Sequence, residues 1–248
     1  MNRTRITRWT RKLHRGLGLL VAIQVVLWIA GGLIMASLDL QRVRGLHYAA
    51  EQPVESLELK AVTVSPAQVL EGLDLGASAV AELRLVQWQG QPVYRVRPLA
   101  DTARPQLVSA HDGVRLSPLD EPTARRIAQA DYAGPGRLVD AQWLETVPSE
   151  ARGRRGPLWR IQFDDAIDTA LYVSADTGQV VARRNNWWRL FDVVWMLHIM
   201  DYDTRDDFNH PVLVLAAASA LLFALSGVLL LGLAWWPRGS RPAAGTGR

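Results

Sequence analysis

The sequence predicts an α+β domain of tandem helix-plus-antiparallel-sheet repeats, inserted between two transmembrane α-helices. Three observations predict it. The apolar residues concentrate at the two ends. Gly16–Leu38 and Val212–Trp236 carry no charge, and each is long enough, at about 1.5 Å per residue, to cross a hydrocarbon core of roughly 30 Å. About 170 residues separate these runs, enough for a core of their own. Within them the chain repeats itself: Gln91–Pro98 parallels Gly156–Phe163, and Leu107–Leu116 parallels Leu171–Val181. Gly113 falls on Gly178, 65 positions later.

Taken in order, residues 1–15 form a basic lead-in, with Trp9 placed among lipid headgroups. Along the first span, 16–38, and the turn before it, His14, Gly18, Ala22, Val25, Ile29, Gly32 and Ala36 recur at spacings of three and four. Another helix, or a flat cofactor, can pack closely on such a stripe. A linker, 39–64, follows. In the first repeat, 65–118, Ser65-Pro66 opens a short helix and Val80–Trp88 alternates as a strand. In the second, 119–186, Glu121-Pro122 opens a helix through Ala130, and Arg137–Thr146 alternates in turn. Asp112-Gly113 and Thr177-Gly178 mark tight turns, while Glu150–Pro157, rich in Arg and Gly, predicts a mobile loop. Trp88, Trp143 and Trp159 fall in alternating strands and are expected in the core.

Residues 187–210 predict an interfacial amphipathic helix and an acidic turn. Trp187, Leu190, Phe191, Val194, Trp195 and His198 share one helical face, with Asp192 off its centre. Asp201, Asp203, Asp206 and Asp207 follow as a solvated turn. They make a poor calcium loop, because the glycine needed at the sharp bend is missing and Arg205 stands at a ligand position. The second span, 211–236, has its own small-residue side with His210, Ala217, Ala220, Ala224 and Gly227, and the two stripes are expected to pack as a hairpin. A low-complexity tail, 237–248, closes the chain.

The net charge of +4 reads as a membrane signal rather than a nucleic-acid one. Arg3, Arg5, Arg8, Arg11, Lys12 and Arg15 precede the first span, and Arg238, Arg241 and Arg248 follow the second. The positive-inside rule then places both termini in the cytoplasm and the middle domain across a bacterial-type inner membrane, in the periplasm. The chain has no cysteine, which excludes disulfides, thiolate metal sites and iron–sulfur ligation by its own residues. No nucleophile elbow, phosphate loop, dinucleotide fingerprint or His-Glu-x-x-His zinc motif is present.

The repeat, closing on the run Tyr172-Val-Ser-Ala-Asp-Thr-Gly-Gln-Val-Val181, resembles the PepSY domain. Leu13-His14-Arg15-Gly16-Leu17-Gly18 and Leu197-His198 are similar to the junctions of the PepSY-associated transmembrane helix family. The resemblance covers nearly the whole chain. Larger members have four or more spans, and some are haem-containing inner-membrane reductases acting on ferric siderophores; this chain has two. The resemblance therefore implies haem b, electron transfer and iron reduction, with His14, His198 and His210 as candidate haem iron ligands.

Geometry constrains that set. Crossing one span takes about 35 Å, so His14 cannot share an iron with histidines of the outer side. Two of His198, His210 and His47 could ligate an outer haem within one chain. An inner haem needs a second histidine from a partner, most simply His14 of a symmetric homodimer, or another membrane subunit. Arg44 and Arg205 are cations available to haem propionates. Against this stand plainer roles: His14 in the basic collar, His198 as a packed core residue, His210 as a helix cap, and His47 and His111 at the surface. The corresponding alternative function is a membrane-anchored periplasmic module that binds or regulates a peptidase or partner protein, or a non-catalytic accessory subunit of a membrane complex.

Overall fold

The computed structural model describes residues 3–51, 56–100 and 102–235. The element order is α1 (Arg3–Ser37), α2 (Leu40–Val43), α3 (Pro66–Gly72), β1 (Val80–Trp88), β2 (Gln91–Pro98), β3 (Gln106–Ser109), α4 (Glu121–Asp131), β4 (Leu138–Leu144), β5 (Leu158–Phe163), β6 (Ala170–Ser174), β7 (Val180–Arg184), α5 (Asn186–Ile199) and α6 (Pro211–Trp235), with short 3-10 turns between. The chain forms two compact units, residues 39–190 and the two flanking segments, each described by itself below. The class is α+β with two antiparallel sheets between two long apolar helices.

In the middle unit, Ser65 opens α3 with a capping box: its hydroxyl accepts from Gln68 N and the Gln68 side chain accepts from Ser65 N. Asp120 caps α4 by its side chain alone, accepting from Thr123 N at 3.0 Å. Each helix leads into a meander, ordered β1-β2-β3 in one sheet and β4-β5-β6-β7 in the other. Alternation then assigns the faces. Tyr94, Val96 and Val108 turn toward Val69 of α3, forming a small core of the first sheet. Val93 and Leu107 turn the other way, where with Trp88 they meet Ala124, Ile127 and Ala128 of α4 and Ile161, Phe163, Leu171 and Val173 of the second sheet. The main core is thus shared by both halves. The second sheet's outer face carries a third cluster, Leu158, Ala170, Tyr172 and Ala182, covered by Ala151.

The backbone of the two meanders matches bond for bond. Ala110 N donates to Pro92 O and Ala175 N to Pro157 O; Gly113 N donates to Ser109 O and Gly178 N to Ser174 O. Both glycines have positive φ, 75° and 62°.

Some expectations need correcting. The basic lead-in is the first turns of α1, helical from Arg3, so one helix runs from the charged residues through the apolar run. The linker is packed: Val43 and Gly45 are buried, Asn185 Nδ2 donates to Arg42 O at 2.8 Å, and Ala50 N bonds Asp131 O. Glu150–Pro157 is anchored at its start by a 3-10 turn, Ser149–Ala151, with Ala151 fully buried. Trp143 is 37% exposed, edge-on to Trp159 across the β4–β5 pair, because it stands on an edge strand at the open margin of the face it shares with Trp159 and Ala141. Residues 236–248, including the end of the expected second span and the tail, lie outside the described residues.

In the flanking unit, α1 and α6 run antiparallel and remain largely uncovered; Leu19 is 81% exposed and Ile23 78%. Helices this long, apolar and bare on their outer surfaces are compatible with membrane insertion. The expected stripes shift in register. Val21, rather than the exposed Ala22, is buried on α1, and the covered side of α6 runs through Ser219, Phe223, Ser226 and Leu230 rather than Ala217 and Ala224. Phe223 packs on Gly18. Its ring lies 3.0 Å from where a Cβ on Gly18 would stand, so glycine there lets the two helices close on an aromatic side chain.

Candidate functional site

The histidines of the flanking unit occupy two levels on α1. Near its charged end, His14 stacks on Phe223 with ring centroids 4.4 Å apart and planes 12° from parallel. Its Nδ1 lies 2.8 Å from Ser226 Oγ and 3.3 Å from Phe223 O. A carbonyl only accepts, and Ser226 already gives its own proton to Phe223 O at 2.7 Å. These contacts suit Nδ1–H as the donor, which leaves the lone pair on Nε2, a nitrogen with no hydrogen-bond partner among the described residues. Gly227 makes room for the ring, since a Cβ there would stand 3.2 Å from His14 Cε1.

About seventeen residues further along α1, roughly 26 Å at the helical rise, α5 packs on Gly31 and Gly32. A Cβ on Gly31 would stand 3.3 Å from Val194 and 3.8 Å from His198 Nδ1. Trp28 Nε1 donates to His198 O at 2.6 Å, fixing the end of α5. His198 Nδ1 is buried without a partner, and the ring is half-buried against the glycines. An unpaired imidazole nitrogen in an apolar seam is costly unless something else engages the ring.

His210 differs from both. Its Nε2 lies 2.9 Å from Ile199 O and its Nδ1 accepts from Leu213 N at 3.4 Å, so it caps α6 and closes the turn before it. Both ring nitrogens are engaged in that cap. His47 is exposed beside Tyr48, and His111 is exposed on its turn. Beside the helix pair, Gln24, Trp28, Met200, Ala216 and Ser219 line a cavity of about 310 Å³ that none of the histidines lines.

The acidic turn is more than a solvated loop. Asp201 is buried and its carboxylate accepts from the backbone N–H groups of Asp203, Thr204, Asp206 and Asp207 and from the Thr204 hydroxyl. The Thr204 hydrogen bond leads, and with these backbone donors holds the Asp201 carboxyl far below the usual carboxylate range. Arg205 is ion-paired to the buried Asp192, so it is not a free cation for a propionate. The sequence holds a signal for the Asp201 arrangement, since aspartate readily accepts from backbone amides two or three residues on.

A second polar cluster, missed by sequence reasoning, lies on the outer face of the second sheet. Glu150 Oε1 accepts from Arg189 Nε at 2.8 Å and Glu150 Oε2 from the Tyr172 hydroxyl at 2.8 Å. Burial would raise the Glu150 pKa, but these two bonds outweigh it and hold the carboxyl below its ordinary range. Burial, then Glu150, pushes the Tyr172 phenol up to about 12. Arg184, brought down to about 10 by burial, stacks over Trp188 at 4.2 Å. Its residues lie far apart in sequence, which hid the cluster. Asp165 closes its own turn and ties it to α4: it accepts from Ile167 N and Thr169 N, and from the Tyr132 hydroxyl at 2.6 Å.

Fold and site together define an α+β domain carried between two helices long and apolar enough to cross a membrane, with one imidazole on the first of them, His14, and another, His198, on α5 packed against it. No protein-family model, curated protein or solved structure matches the chain.

Proposed function

We propose that this is a haem-binding inner-membrane subunit that passes electrons across the bilayer, toward ferric iron on the outer side. In this reading both basic termini are cytoplasmic and the middle domain is periplasmic. His14 and His198 each supply one axial ligand to one of two haem b groups. The remaining ligands come from a second copy of the chain or another membrane subunit, since the 26 Å between the two levels forbids a shared iron. The observation that carries the reading is the engagement of His14 at Nδ1 alone, by Ser226 Oγ and Phe223 O, which leaves Nε2 without a partner among the described residues. Metal-binding histidines are held in this way, with the second ring nitrogen donating to a fixed acceptor. The orphaned Nδ1 of His198 supports a ligand role for the second ring. Haem would supply one-electron chemistry at each level. The resemblance of the repeats and of both histidine junctions to the PepSY families supports the same assignment, and His210 is left out because its cap uses both nitrogens.

A second reading, a membrane-anchored periplasmic module that binds or regulates a peptidase or partner protein, is favoured by one observation. The α1–α6 seam around His14 is filled by Phe223, leaving no room for a macrocycle between these two helices. One measurement separates the two. The full chain, expressed with ample haem supply and purified in detergent, is expected to show a Soret band that His14→Ala and His198→Ala each reduce by about half. A colourless protein, or a band that both variants leave intact, rules out the haem reading and leaves the binding module.

A further inference from the structure

We propose that the cleft at the basic end of the helix pair is a binding site for an anionic phospholipid, recognised through its phosphate diester and the start of an acyl chain. Arg8, Arg11, Lys12 and Arg15 stand at helical spacings of three and four and so share one face of α1. With Leu19 on α1 and Leu230 on α6 they line a cleft of about 960 Å³. All four cations are exposed, and among the described residues none has an acidic partner. The sequence holds no Asp or Glu before Asp39 and none from residue 211 to 235, so neither helix offers a counter-charge.

Like charges three and four residues apart repel along a helix. An anion seated among them relieves that repulsion. Guanidinium groups suit the task because their planar forks match phosphate oxygens. The cleft also has a second wall. Leu19 and Leu230 continue it into the uncharged part of both helices, which free phosphate would not use and an acyl chain would. The change from cationic to apolar lining falls at Gly16, where the uncharged run begins, which is the depth at which a headgroup meets its chains. Basic pockets between spanning helices are the common form of anionic-headgroup site.

The test uses the full chain in an uncharged detergent, with bound lipid read by native mass spectrometry. Phosphatidylglycerol, phosphatidylcholine and inorganic phosphate are the three probes. One phosphatidylglycerol is expected to stay bound, while phosphatidylcholine and phosphate do not. Arg11→Gln should weaken phosphatidylglycerol binding about five-fold, the effect of about one basic residue at a membrane surface. Arg5→Gln removes the same charge from the same helix outside the cleft, and should leave binding unchanged. Leu230→Trp fills the apolar wall without altering charge, and should weaken phosphatidylglycerol as well. Equal losses in Arg5→Gln and Arg11→Gln would reduce the site to a diffuse basic collar and overturn the proposal. So would retention of phosphatidylcholine at the same level, or full displacement of the lipid by phosphate.

Discussion

The two halves of the middle unit make the same turn in different surroundings. Around Gly113 a Cβ would meet only Val64, at 3.8 Å, whereas at Gly178 it would stand 2.7 Å from the indole of Trp88, which belongs to the other half. Trp88 Nε1 also donates to Gly178 O at 3.2 Å. The neighbouring positions diverge in the same sense. His111 is exposed, while its counterpart Asp176 is buried and held by three hydrogen bonds from Arg104 of the first half, the shortest 2.6 Å. The first turn therefore closes a local loop. The second is a joint through which the first sheet leans on the second.

The largest expected effect tests that joint. Gly178→Ala combines a disfavoured φ with an overlap on a buried tryptophan and should cost about 3 kcal/mol, against about 1 kcal/mol for Gly113→Ala, where only the φ is strained. Denaturant unfolding of the full chain followed by tryptophan fluorescence gives both values. Equal losses would mean that the two turns carry the same burden, and the comparison would fail.

A smaller effect contrasts the charged residues. Glu150 is half-buried with Arg189, whereas Glu82 of the first sheet meets Arg84 and Arg97 at the surface. Because the folded pKa of Glu150 lies below its unfolded value, its contribution is complete above the ordinary glutamate range and lost as the pH falls through the folded pKa. Glu150→Gln should lower stability by about 2 kcal/mol at neutral pH and flatten the acid limb of a stability profile. Glu82→Gln should leave that limb in place. The smallest effect is at Trp143. Replacing this edge-strand residue by Ala should cost about 1 kcal/mol, the worth of a cross-strand pair rather than of a core tryptophan. A loss as large as that of Gly178→Ala would place the core elsewhere.

What could be read from the sequence followed from local rules. Ser65-Pro66 and Glu121-Pro122 mark helix starts because a capping side chain and a fixed proline φ act within one turn. Val80–Trp88 reads as a strand from its run of apolar residues broken by polar ones, and the charge-free ends stand out by length alone. The sequence could not reveal which small residue would be covered. Ala22 and Val21 are both apolar and adjacent, and spacing alone does not say that Val21 is the one covered. The histidine set was legible as a set of candidates, but separating cap from free imidazole required partners more than two hundred residues apart, as with His14 and Ser226. Glu150 was hidden for the same reason: Tyr172 and Arg189 reach it from different elements.

The Asp201 turn has a consequence for anyone who wants to label this protein. Exposed, acidic and next to a helix start, residues 202–209 look like a natural place for an epitope tag or a fluorophore loop. An inserted residue there would draw Asp206 N and Asp207 N away from the carboxylate and shift the His210 cap with them. The Gln89-Gly90 hairpin tip is the better graft point. Both residues already sit at positive φ, and nothing lies within 4 Å of a side chain built on Gly90.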